Sequence, residues 1–100
     1  MPTFELDGDA YELVRSEVSR RVARGEGVPG SQADLAALNR ATRVGDTYRM
    51  SVDETVARSL LDWFEKSADI IDAIREHVSD SNRLIPVCWR AVHSIRAALD

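Results

Sequence analysis

The sequence is poor in the residues that specialise a small protein. Its single cysteine, Cys88, excludes an internal disulfide and points to a reducing, cytoplasmic setting. Three prolines and five glycines are too few for a many-stranded, turn-rich sheet. No stretch approaches the roughly 20 apolar residues of a membrane span. The Met-Pro-Thr-Phe-Glu start has neither a basic cluster nor an apolar run, so no secretory leader is expected. Of 13 basic residues only Lys66 is a lysine, a bias typical of a GC-rich bacterial genome. A net charge of −4 gives the chain no global attraction for nucleic acid or an anionic membrane. There is no phosphate loop, dinucleotide fingerprint, zinc spacing or nucleophile elbow. No cofactor and no enzymatic activity are expected.

What is present is helix. One hundred residues with 44% hydrophobic content suffice for one core, so residues 1–100 are expected to form a single compact helical domain. The segment Ser51–Ser79 reads as one long helix with two adjoining apolar stripes. Ala57, Leu61, Phe64, Ala68, Ile71 and Val78 form the first; Val56, Leu60, Trp63, Ile70 and Ile74 form the second. Together they are about twice as wide as the apolar face of an ordinary surface helix, so this helix needs two packing partners. A third stripe is acidic: Asp62, Glu65, Asp69, Asp72 and Glu76.

Around it, Phe4-Glu5-Leu6-Asp7 and Thr47-Tyr48-Arg49-Met50 alternate as two short strands that can pair. Asp9 and Glu12 form the expected capping box of a first helix, with Tyr11, Val14, Val18 and Val22 on one face, ending at Gly25. Residues Gly25 to Gly30 are expected to make a flexible loop. Ser31 and Asp34 open a second helix carrying Leu35 and Leu38 and ending before Gly45. Ser51 and Glu54 cap the long helix. Asp80-Ser81-Asn82 breaks it, and a last helix from about Leu84, with Pro86 in its first turn, buries Leu84, Cys88, Ala91, Val92, Ile95 and Leu99. The expected fold is mainly α, with four helices, two short strands, and the long helix packed against the C-terminal one.

Several constellations bear on function. The acidic stripe reads as a solvated face, because no converging ligand set accompanies it and neither His77 nor His93 follows a glutamate by three residues. Arg20, Arg21, Arg24, Arg40 and Arg43 offer a basic patch, and Gln32-Ala33-Asp34-Leu35-Ala36 looks like the first helix of a helix-turn-helix. The likeness ends at Asn39 and Arg40, where an apolar residue and a turn glycine are usual, so nucleic acid is not the expected partner. Cys88 lies on an apolar face with His93 five residues away, on another side of the helix, which does not suit a nucleophile and its base. Trp89 lies off the core stripe near His93 and Arg96 and suits an exposed anchor.

The expectation from these patterns is a non-enzymatic protein–protein interaction or assembly module. It would self-associate, or bind another protein, through Val56, Leu60, Trp63, Ile70, Ile74 and Trp89. The alternatives are a small DNA-binding or regulatory protein using the arginines, and a small helical ligand-binding or catalytic domain.

Overall fold

The computed structural model describes residues 1–25, 31–74, 76, 77 and 81–100. Strand β1 (Thr3–Asp7) alternates as expected, turning Phe4 and Leu6 into the core while Thr3 and Glu5 face outward. Helix α1 (Gly8–Ala23) follows without a loop. It begins two residues earlier than its sequence suggests, so Asp9 lies inside the first turn and the capping box with Glu12 is not the cap. Asp7 occupies the cap position and makes no side-chain cap bond, because its carboxylate accepts from Arg90 Nε at 2.6 Å. The expected stop holds: Gly25 adopts φ 68°, open to a residue without Cβ, and its N–H donates to the Val22 carbonyl. The loop expected after Gly25 lies outside the described residues.

Helix α2 (Ser31–Asn39) is shorter than expected, and the residues after it form a third strand that the periodicity does not reveal. Strand β2 (Thr42–Val44) turns through Gly45 and Asp46 into β3 (Thr47–Ser51). Gly45, at φ 63°, takes the first central position of this two-residue turn, where hairpins favour glycine. The sheet is antiparallel in the order β1-β3-β2, with Phe4 opposite Met50 and Leu6 opposite Tyr48. Among the described residues, three strands are therefore present where two were expected. Tyr48 stacks on Tyr11 with ring centroids 3.7 Å apart, and the Tyr11 hydroxyl donates to the Leu38 carbonyl at 2.8 Å. That pair ties α1, α2 and the sheet together.

Helix α3 (Glu54–Ala73) starts after Asp53, not at Ser51. Asp53 accepts from the Val56 N–H at 2.9 Å, a cap worth about 1 kcal/mol on replacement by Ala. Ser51 instead closes β3, with its Oγ 2.9 Å from Thr3 Oγ1. Ile74 caps the helix end, and Val78 lies outside the described residues. Helix α4 (Ser81–Leu99) begins three residues before the expected start, so Ser81 and Asn82 are helical and Pro86 sits in the second turn.

As expected, α3 packs chiefly on α4. Cys88, Ala91, Val92 and Ile95 are buried, joined by Val87, whereas Leu84 and Leu99 are only half-buried. Helix α4 also covers the outer edge of β1, where the Ser94 hydroxyl donates to the Glu5 carbonyl at 2.7 Å. Its arginines spread over three elements: Arg83 pairs with Asp9, Arg90 with Asp7 and Arg96 with Glu65. Exposed pairs of this kind contribute little stability but fix orientation. Among the described residues, one core cluster runs through helices α1 to α4, β1 and β3.

Candidate interaction surface

The two stripes of α3 meet different fates along the helix. In the first, Ala57, Phe64 and Ala68 are buried and Leu61 and Ile71 half-buried. The second stripe changes environment from one end to the other. Val56 and Leu60 belong to the chain's own core, at 7% and 0% exposure, which removes them from any partner surface. Trp63 is half-buried, and Ile70 and Ile74 stand at 59% and 43% exposure. The first half of the stripe is covered by α2, whose Asp34 reaches Ser59 on α3. The second half is left to solvent.

Trp63 sits where two concavities meet. One is a groove of about 270 Å³ between α1 and α3, lined by Leu13, Trp63, Ile70 and Ile71. Its rim is Glu17 with Arg20 and Arg21, both of which bond the same carboxylate. The Arg20 hydrogen bond, with Arg21 adding to it, holds the Glu17 carboxyl below its usual value against an opposing desolvation. The other is a cavity of about 220 Å³ where Val18, Leu60, Trp63 and Ile70 meet Asp34, Ser59, Arg21, Asp62 and Lys66. Trp89, at 37% exposure, projects from α4 and lines neither concavity. The six residues expected to form one partner surface thus divide into two in the core, three in a contiguous strip and one apart.

Four of the five arginines of the expected patch are spread over three concavities. Arg20 and Arg21 line the α1/α3 groove, Arg40 lines a different concavity beside Met50 and Val52, and Arg43 lines a third. That third one is an open, polar cleft of about 690 Å³ where Asp7, Asp9, Glu12 and Asp46 outnumber Arg43 and Arg90. Arg43 is itself turned back onto the Gly45 carbonyl at 3.1 Å. Burial pushes the Cys88 thiol up, away from the thiolate a nucleophile requires. Within the acidic stripe, Lys66 engages Asp62 at 2.9 Å and Arg96 engages Glu65 at 2.7 Å. Among the described residues no group of three or more His, Cys, Asp or Glu is placed to hold a metal ion, and no helix is long and apolar enough to cross a membrane.

Sequence reasoning assigned Asp34 to a helix start and missed its burial. The signal was its spacing: Asp34 is four residues before Leu38, which is fully buried, so both lie on one face of α2. No protein-family model, curated protein or solved structure matches the chain.

Proposed function

We propose that this protein is a non-enzymatic interaction module that self-associates through the second half of α3, with Trp63, Ile70 and Ile74 as the contact residues. The observation that carries the reading is the exposure of Ile70 and Ile74 one helical turn apart, continuous with Trp63 and an apolar groove. Contiguous apolar strips of this kind are seldom left facing water on a monomer, and an aromatic anchor beside a preformed groove is the usual core of an interface. The polar surroundings give such a contact an orientation. The Glu17, Arg20 and Arg21 knot leaves one net positive charge on the groove rim, while Asp69 beside Ile70 makes no ion pair among the described residues. A second copy brings the one to the other, which favours register more than affinity.

Light scattering at micromolar concentration is the test. Wild-type protein is expected to run as a dimer or larger, and Ile70→Glu as a folded monomer whose melting temperature no longer depends on concentration, because association adds to the stability of the folded state by mass action. A monomeric wild type refutes the proposal.

A further inference from the structure

Among the described residues, Asp34 is the one charged side chain that the fold buries, at 7% exposure. Its carboxylate accepts the Ser59 hydroxyl at 2.6 Å and enters no ion pair among the described residues. Two cations line the same cavity, yet each is held elsewhere: Arg21 by Glu17 at 3.1 Å and Lys66 by Asp62 at 2.9 Å. Burial accordingly lifts the Asp34 carboxyl above its usual value, opposed by the Ser59 bond and reinforced by Asp53.

A buried carboxylate is costly unless a cation meets it, and an ionised one offers several acceptor positions, of which one hydroxyl fills a single one. The cavity that Asp34 and Ser59 line has walls suited to an alkyl stem, in Val18, Leu60 and Ile70. It also has an indole, Trp63, the aromatic side chain most favourable to a nearby cation. At about 220 Å³ it is smaller than the roughly 300–1,000 Å³ of sites for drug-sized molecules, which limits the occupant to something the size of one long side chain.

We infer that this cavity is a socket for a primary ammonium or guanidinium group on a short alkyl stem, with Asp34 as the counter-charge and Ser59 as the residue that orients its carboxylate. The two cations at the rim are engaged away from Asp34, Lys66 by Asp62 and Arg21 by the Glu17 carboxylate that it shares with Arg20. The same chemistry is carried by a free amine and by a lysine or arginine side chain of another polypeptide. The socket does not depend on self-association: it stands if the protein proves monomeric.

The test is an NMR titration of the full chain, labelled with nitrogen-15, using butylammonium chloride and butylguanidinium chloride at constant ionic strength, with butanol as the uncharged control. Saturable shifts of the Ser59 amide and the Trp63 indole are expected with both cations in the millimolar range, and none with butanol. Asp34→Asn keeps the size and the acceptor for Ser59, and is expected to weaken both cations at least tenfold while the spectrum stays folded. Binding should strengthen as pH rises and Asp34 ionises; Asp53 is the neighbouring charge that raises the Asp34 carboxyl, and Arg21, Asp62 and Lys66 are the other charged groups lining the cavity. Acetyl-Gly-Lys-Gly-amide separates the sources. Affinity tenfold above butylammonium assigns the socket to a partner's side chain, and equal or weaker affinity assigns it to a free amine. Absence of saturable shifts with either cation, equal shifts with butanol, or an unchanged titration in Asp34→Asn overturns the inference.

Discussion

Replacing Asp34 by asparagine should remove a pH dependence from the stability of the protein. Burial is the largest influence on this carboxyl and outweighs both the Ser59 bond and the location in the first turn of α2, each of which favours the charged form. The native state therefore holds the Asp34 proton to higher pH than the unfolded chain does. Below the ordinary Asp value of about 3.9 both states are protonated and the contribution is fully present. As pH rises through the raised native value it is lost, with a slope of at most about 1.4 kcal/mol per pH unit, because the native state alone binds the proton in that window. Asparagine does not titrate. It retains an oxygen that can accept the 2.6 Å bond from Ser59, so the two proteins should be of similar stability near pH 4 and diverge in favour of the variant as pH rises. In a domain of this size each 1 kcal/mol moves the melting temperature by about 4–8 °C. Urea and thermal melts of both proteins in half-unit pH steps would measure the divergence. A difference that is flat with pH, or that grows in favour of the wild type, would mean the carboxylate is solvated or paired in solution, and would refute the burial on which the argument rests.

Two further perturbations probe the fold around the surface. Tyr11→Phe leaves the Leu38 carbonyl without its buried donor while keeping the stack on Tyr48; it should cost about 1–3 kcal/mol in a urea melt, and a cost near zero would show that water satisfies that carbonyl. Truncation after Asn82 removes the residues that cover Phe64 and close the edge of β1, including the fully buried Cys88, Val92 and Ile95. Since each buried leucine or isoleucine is worth about 2–5 kcal/mol on truncation to Ala, no cooperative melt should remain by circular dichroism. A native-like transition in residues 1–82 would make α4 an appendage.

Periodicity identified the elements that bury a continuous face and missed those that do not. Phe4 and Leu6 alternate with polar residues because one side of β1 is core, and the 3,4 spacing of α3 is plain for the same reason. Strand β2 buries none of its three residues, so its only mark was the Gly45-Asp46 turn that joins it to β3. Helix starts were displaced for a different reason. Asp7 and Asp9 compete for one cap, as do Ser51 and Asp53; Asp7 takes the first while still paired with Thr47, and Asp53 takes the second beyond the end of β3. Ser51 is held in β3 opposite Thr3, which leaves Asp53 as the first residue free to cap. Asp34 has the composition of a helix start and the spacing of a core position; only the approach of Ser59, 25 residues away, decides between the two.

The double stripe on α3 shows most directly what a sequence pattern contains. It specifies which residues share a face, and it does so correctly from Val56 to Ile74. It does not specify how far along that face the rest of the chain reaches, because that depends on the length of another element. Helix α2 has nine residues and lies over the part of α3 that includes Val56 and Ser59. Residues of one stripe consequently answer to different constraints. Substitutions at Leu60 should act on stability and leave the association of the surviving folded protein unchanged, whereas substitutions at Ile70 should weaken association and leave the stability of the monomer itself unchanged. The boundary falls at Trp63, which packs edge-on to Phe64 at 5.1 Å on its core side and lines the open groove on the other. Trp63 is therefore the position where a single change should lower both stability and self-association, and where the two effects need separate measurement.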